Sequence, residues 1–164
     1  MVRGHLPAAW GMAVRGLALL IAVAMGAWHT PRHAGAPGDD PGAVDRGEAI
    51  YAAHCARCHG RQLEGQPDWQ SPRADGKMPA PPHNSDGHTW HHDSEMLVGI
   101  TKHGLVPPWA PADYSSDMPA FAGVLSDEEI WAVLSFIAST WNEEAKGWQR
   151  QIEAQARRSA APRP

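Results

Sequence analysis

The residues that most directly suggest chemistry are the two cysteines, Cys55 and Cys58, with His59 directly after them. Two thiols at this spacing lie about one helical turn apart, so each can add to one vinyl group of a haem. A histidine directly after the second thiol can turn its imidazole onto the iron from the same side. The segment predicts one covalently attached haem c, with His59 as an iron ligand.

Other uses of a CxxC pair agree less well with the rest of the chain. A structural zinc site normally needs two further close ligands, and the chain has only two cysteines. A thioredoxin-like pair follows a strand in a βαβ unit, whereas here a predicted helix precedes the motif and a loop follows it. A disulfide or a redox pair is the alternative to haem attachment.

Short helices are expected to position this motif. Asp45 and Glu48 resemble a capping box, which predicts a helix that begins near Asp45 and runs toward Cys55. A second helix is predicted over residues 94–103, closed by Gly104.

The last predicted helix has the clearest signature, because Ser126 and Glu129 form a capping box ahead of a helical apolar pattern. The members of that pattern are Ile130, Val133, Leu134, Ile137 and Trp141. The 16 glycines and 15 prolines predict long loops rather than a sheet. Beyond Asn142 the chain is polar and charged, which predicts a frayed helix or a disordered tail.

The N-terminus is predicted to direct export. Arg3 and Arg15 precede an apolar run over residues 16–28. Thirteen residues fit the core of an export signal, and they are fewer than the about 20 that span a bilayer comfortably. Residues 1–29 are therefore predicted to be a cleaved signal peptide or an uncleaved signal anchor, which places the following domain outside the cytoplasm, on the periplasmic side of a membrane.

Composition divides the remaining chain into three parts. A flexible linker rich in proline and glycine is predicted over residues 30–43, the haem domain over 44–142 and a charged tail over 143–164. Residues 39–142 contain fifteen acidic and six basic residues, a net charge of −9. This balance argues against nucleic acid as a partner and favours a protein partner with a basic docking face.

The motif and its surroundings resemble a known family. The segment over residues 47–60 is similar to the N-terminal helix and haem motif of class I cytochromes c, in which a small residue and an aromatic residue pack against the C-terminal helix. Gly47 and Tyr51 match this pair, and Val133 and Phe136 match their partners. The resemblance implies an all-α cytochrome c fold of three main short helices and long loops around one haem.

The same resemblance implies a sixth iron ligand. Met118, followed by proline, is similar to the family's distal methionine, and Met78 and Met96 are weaker candidates. A thioether ligand raises the reduction potential, and two protein ligands leave no open position for a substrate. The implied function is electron transfer between redox protein partners, by a carrier that is not itself an enzyme.

The loop after the motif has one further counterpart in the family. Pro81 or Pro82 resembles the loop proline at which a backbone carbonyl accepts a hydrogen bond from the proximal imidazole. The chain departs from the family at His83, where an apolar residue is common.

Five histidines in the middle of the chain leave an alternative open. They are His83, His88, His91, His92 and His103. They are predicted to be loop histidines that bond to haem propionates or to the backbone. The alternative is a copper site with a metal-handling function, because imidazoles with Met78 or Met96 nearby are donors that copper accepts. Trp90 and Trp109 are predicted to form walls of the haem pocket or to contact propionates. A last alternative is a haem enzyme or ligand sensor in which Met118 is easily displaced.

Overall fold

The computed structural model describes residues 40–160. The predicted signal or anchor segment, over residues 1–29, and the linker up to residue 39 lie outside this range. The described chain contains these helices in order: α1 (Pro41–His54), α2 (Ala56–His59), a 3₁₀ turn (Thr89–His91), α3 (Ser94–His103), α4 (Asp127–Ser139) and α5 (Glu143–Ala160). Between residues 40 and 160 there is no strand, and only two isolated bridges form. The all-α prediction is confirmed, but α5 makes the number of main helices four rather than three.

Helix α1 begins earlier than predicted. Its N-cap is Asp40, whose carboxylate accepts a hydrogen bond of 2.9 Å from the backbone N–H of Gly42, and Pro41 occupies the first helical position. Proline is favoured there because its missing N–H would have no partner in any case. Asp45 and Glu48 therefore lie inside the helix, so the predicted capping box is wrong, and the last three residues of the predicted linker are helical.

Helices α1 and α4 pack against each other at Gly47. A Cβ atom added at Gly47 would lie 2.0 Å from the carbonyl oxygen of Ala132 and 2.9 Å from Cβ of Phe136. The ring of Tyr51 packs on that of Phe136, with centroids 5.4 Å apart. The predicted contact of Gly47 and Tyr51 with Phe136 is confirmed. The backbone that lies closest to Gly47 is that of Ala132 and not that of Val133.

The caps of α3 and α4 agree with the sequence prediction. Asp93 accepts a hydrogen bond from the backbone of Met96, and Gly104 closes α3 with a φ of 81°. Ser126 and Glu129 bond to each other's backbone N–H groups at the start of α4. The whole predicted apolar pattern from Ile130 to Trp141 is buried.

Residues 143–160 form a regular, packed helix rather than a frayed or disordered segment. The side chain of Asn142 caps α5 by accepting a hydrogen bond from Ala145. Ala145 and Gln149 are buried, with 2% and 3% of their surfaces exposed. Farther along, Glu153 accepts hydrogen bonds from the backbone N–H and the hydroxyl of Ser94, at the start of α3. The prediction of a frayed or disordered segment was wrong. The segment is polar in composition, but Ala145 and Gln149 lie on one face of the helix, and that face is buried.

Removing the carboxylate of Glu153 is expected to weaken the attachment of α5. Glu153→Ala leaves the N–H and hydroxyl of Ser94 and the amide of Gln149 without this acceptor. We expect the free energy of unfolding to fall by about 1–2 kcal/mol. The matched control is Glu143→Ala, because Glu143 is 85% exposed and lies 3.7 Å from Lys146, so its loss should change stability by less than about 0.5 kcal/mol. Urea unfolding of both variants measures the difference, and equal values would contradict this role of Glu153.

None of the helices between residues 40 and 160 is both long enough and apolar enough to cross a membrane.

Candidate haem site

A largely apolar cavity of about 550 Å³ opens between the CxxCH turn, the proline-rich loop, α3 and α4. Cys55, Cys58 and His59 lie on its wall. The apolar part of the lining includes Leu97, Ile100, Phe121, Val133, Leu134 and Ile137. A cavity of this size and character suits a flat, mostly apolar cofactor.

Helical geometry places the three motif residues on this wall. The backbone N–H of His59 donates to the carbonyl of Cys55 over 3.0 Å, so Cys55, Cys58 and His59 belong to one tight turn. Both cysteines are free and half-buried. Burial, reinforced by the neighbouring Cys58, raises the pKa of Cys55 to about 11. A raised pKa keeps the thiol of Cys55 protonated at neutral pH, whereas the nucleophilic form of a cysteine is the thiolate.

The ring of His59 is buried and held by one hydrogen bond. Its Nδ1 lies 2.8 Å from the carbonyl oxygen of Pro81. Because a carbonyl can only accept, Nδ1 carries the hydrogen and Nε2 keeps its lone pair. Burial lowers the pKa of His59, although the bond to Pro81 partly opposes it. A neutral imidazole with a free Nε2 is the form that ligates iron, and the predicted loop proline is identified as Pro81.

His83 supports the ring of His59 from behind. The two rings stack with centroids 3.9 Å apart and planes at 21°. Nδ1 of His83 forms a hydrogen bond of 2.8 Å with the hydroxyl of Thr89. The backbone carbonyl of His83 accepts a hydrogen bond from Nε1 of Trp141. Burial, followed by the charges of His59 and His88, holds the pKa of His83 well below its ordinary value. A neutral, hydrogen-bonded histidine thus fills the position where the family often has an apolar residue.

Three methionines reach the cavity, not one. Met78, Met96 and Met118 all line it, and Met118 also packs against the hydrophobic core. The backbone N–H of Met78 donates to the carbonyl of Ser115, which brings the loops of Met78 and Met118 side by side. Met118 as the iron ligand stays a prediction, and Met78 and Met96 are its direct competitors.

The tryptophan predictions have different outcomes. Trp109 lines the cavity and covers Gly99 of α3, where an added Cβ would lie 2.4 Å from the indole ring. Trp90 does not line the cavity, because its ring stacks on His91 at 3.8 Å and packs beside the core. The predicted pocket wall is confirmed for Trp109. Trp90 is not part of that wall, and its contact with a propionate stays a prediction. Trp69, which belongs to none of the predicted motifs, stacks on His88 with centroids 5.1 Å apart.

The histidines occupy separate places. His88 and His92 line the cavity beside His83, whereas His91 is exposed and His103 stacks on Trp109. Over residues 40–160, no three histidine, cysteine, aspartate or glutamate side chains are grouped so that they could hold a metal ion.

The residues present fit a covalently bound haem. The apolar cavity has two free thiols and one imidazole with an unprotonated nitrogen on the same wall. Leu97, Phe121, Leu134 and Ile137 contribute apolar side chains to the rest of the lining. A cofactor with an apolar ring, two reactive vinyl groups and an iron suits the apolar lining, the two thiols and the imidazole.

Comparisons with known proteins agree with this site. Residues 42–137 match the family model described as cytochrome c oxidase, cbb3-type, subunit III. A relative, the cbb3-type cytochrome c oxidase subunit FixP of Rhizobium etli, is 28% identical over 95 residues. The match covers 58% of this chain but only 29% of the relative. No solved structure matches. The chain therefore belongs to the family of cbb3-type cytochrome c oxidase subunit III, and it is a c-type cytochrome of class I with covalently attached haem c and a role in electron transfer.

Proposed function

We propose that this chain is a mono-haem electron carrier outside the cytoplasm, with the haem attached at Cys55 and Cys58 and its iron ligated by His59 and Met118. The bound haem supplies a centre that takes up and releases one electron. The observation that carries the proposal is the hydrogen bond between His59 and Pro81, which keeps Nε2 of a buried imidazole unprotonated beside two free thiols.

The protein's own residues keep this centre nearly unchanged between oxidation states. The bond to Pro81 and the stacked ring of His83 prevent His59 from rotating. The apolar lining limits the access of water, which favours low charge on the centre and a high potential. Ligands on both sides of the iron would leave no position for a substrate, so the chain would transfer electrons without catalysing a reaction itself.

Redox titration of the purified holoprotein tests this function. We expect a single reversible one-electron transition and a reduced form that does not bind carbon monoxide, because both axial positions are filled. Rapid binding of carbon monoxide by the unmodified protein would instead indicate a haem enzyme or ligand sensor with a labile distal ligand.

The proposed partners are redox proteins with a basic docking face. The charge of −9 over residues 39–142 favours association with a positive surface, and it disfavours nucleic acid. The family and the relative FixP are named for a cbb3-type oxidase, so we propose that one partner belongs to a respiratory oxidase. The chain spans 29% of FixP, so this link rests on the haem domain alone.

The proposed location follows from residues 1–29, as a signal peptide or signal anchor that carries the domain to the periplasmic face of a membrane. We propose a linker over residues 30–43, a haem domain over 44–142 and a charged tail over 143–164. Two features change these limits: the first helix already begins at Pro41, and α5 in the tail is helical and packed.

An ion cluster next to Met118 is proposed to steady the distal ligand. Asp117 accepts hydrogen bonds from Arg73, at 2.5 Å, and from Lys77, both on the loop that precedes Met78. Those two bonds, led by the one from Lys77, lower the pKa of the Asp117 carboxyl. The cluster lies on the surface, so salt should weaken it.

Asp117→Asn is therefore expected to loosen Met118 and to make the sulfur-to-iron absorption band sensitive to salt. The matched control is Asp127→Asn, because Asp127 forms a comparable exposed pair with Lys102 at 2.5 Å on another part of the surface. Optical spectra of both variants at low and high sodium chloride measure the effect. The same salt response in both variants would contradict a specific role of Asp117.

A further inference from the structure

The residues that join α4 to α5 contact the loop behind the proximal histidine. Nε1 of Trp141 donates a hydrogen bond to the carbonyl of His83 over 2.8 Å, and the backbone N–H of Asn142 donates to the hydroxyl of Ser85 over 2.8 Å. Trp141 is only 4% exposed, so its N–H depends on this one acceptor. Both contacts come from residues beyond 137, where the match to the family model ends. The haem site is therefore supported by a part of the chain that the matched range does not include.

Helix α5 contacts the other end of the same loop. Gln149 is 3% exposed, and its amide donates to the carbonyl of His92 over 3.3 Å and to the carboxylate of Glu153 over 3.0 Å. Glu153 in turn accepts a hydrogen bond of 2.6 Å from the backbone N–H of Ser94. Residues 83–94 are thus held at both of their ends by residues 141–153.

Residues 83–94 determine where the ring of His83 lies. Their 3₁₀ turn carries Thr89, whose hydroxyl bonds to Nδ1 of His83, and the backbone N–H of His83 donates to the carbonyl of Leu63 over 2.8 Å. The ring that is fixed in this way stacks on the ring of His59, with centroids 3.9 Å apart. A movement of the turn would therefore move the surface on which the proximal ring packs.

We propose that Trp141 and Gln149 are positioning residues for the proximal iron ligand. They hold residues 83–94 from both ends, and so they fix the ring of His83 and, through it, the plane of the His59 ring. This inference rests on the proposed function, because it requires His59 to ligate a haem iron, but it does not depend on Met118. Groups that orient an iron ligand tune the iron, so loosening this support lowers the reduction potential.

The hydrogen bond from His59 to Pro81 does not do the same work. It fixes the direction of the Nδ1–H bond over 2.8 Å, but the ring can still rotate about that direction. The stacked ring of His83 opposes this rotation, because the two ring planes lie at only 21° to each other. The two contacts restrict different motions of His59, so the support of His83 can be tested by itself.

The test compares two matched pairs of variants as purified holoprotein. Trp141→Phe keeps an aromatic ring but removes the N–H that bonds to His83, and its control is Trp148→Phe, because Trp148 is 50% exposed. Gln149→Met keeps the length of the side chain but removes the donor, and its control is Gln151→Met, at an exposed position of the same helix. NMR spectra of the oxidised protein measure the shifted haem methyl signals, which depend on the orientation of the proximal imidazole plane. A redox titration measures the potential.

We expect Trp141→Phe and Gln149→Met to shift the methyl signals and to lower the potential, whereas both controls keep the signals of the unmodified protein. Unchanged methyl signals in either variant would overturn the proposal, because a residue that only stabilises the fold lowers the free energy of unfolding without turning the ligand plane. Equal shifts in the variants and their controls would overturn it as well. If only one of the two variants accumulates with haem, that variant decides.

A double-mutant cycle tests the route through His83. His83→Leu removes the stacked ring, so Gln149→Met should no longer shift the methyl signals in that background. A shift of the same size in both backgrounds would overturn the route. Rapid binding of carbon monoxide by the unmodified protein would instead refute the proposed ligation by Met118, and that result is separate from the methyl signals of the variants.

Discussion

Replacing Met118 by leucine is expected to abolish the sulfur-to-iron absorption band, lower the reduction potential and allow the reduced protein to bind carbon monoxide. Leucine has nearly the volume of methionine, so the fold should lose less than about 1.5 kcal/mol. It has no lone pair for the iron, so the distal position becomes available. Axial ligands tune haem potentials over roughly 0.8 V, and we expect a fall on the order of 0.1 V or more.

The cavity supplies unusually close controls for this experiment. Met78 and Met96 also line it, so Met78→Leu and Met96→Leu make the same chemical change at the same cavity. Both should keep the band and the resistance to carbon monoxide. Optical spectra of the three oxidised variants decide the ligand. A band that survives Met118→Leu but disappears in Met78→Leu would reassign the distal ligand to Met78.

Replacing Gly47 by alanine is expected to destabilise the protein by about 3 kcal/mol, at the upper end of what overpacking typically costs. The added Cβ would lie 2.0 Å from the backbone oxygen of Ala132 and 2.6 Å from its carbonyl carbon. Backbone atoms cannot rotate away as a side chain can, so α1 and α4 must separate. That movement would disturb the contact between Tyr51 and Phe136 as well.

Gly147→Ala in α5 is the matched control for this substitution. An added Cβ there meets no atom closer than the guanidinium of Arg150 at 3.8 Å. Alanine is the better helix former, so the free energy of unfolding should rise by about 0.5–1 kcal/mol. Denaturant unfolding of both holoprotein variants, followed by circular dichroism, measures the contrast. A cost below 1 kcal/mol for Gly47→Ala would show that the two helices are not as tightly apposed as described.

Local chemistry explains why much of this protein was predictable from its residues. The CxxCH turn specifies haem attachment because its thiols and imidazole are neighbours in the chain. The capping box of Ser126 and Glu129 and the apolar pattern after it specify α4 for the same reason. The predicted start of α1 was wrong because the sequence contains two possible N-terminal caps close together. The helix uses Asp40 with Pro41, and Asp45 and Glu48 lie inside it.

Contacts between distant segments explain what the residues alone left open. Pro81, rather than Pro82, bonds to His59 because of the conformation of the 22-residue segment that joins them. The three cavity methionines converge from separate segments, and Trp69 meets His88 across a loop. Helix α5 is polar in composition, and it is ordered by its contacts with His92 and Ser94, more than fifty residues earlier. Motifs within one turn are set by neighbouring residues, whereas ring stacking, buried hydrogen bonds and the docking of α5 depend on packing that arises when the whole chain folds.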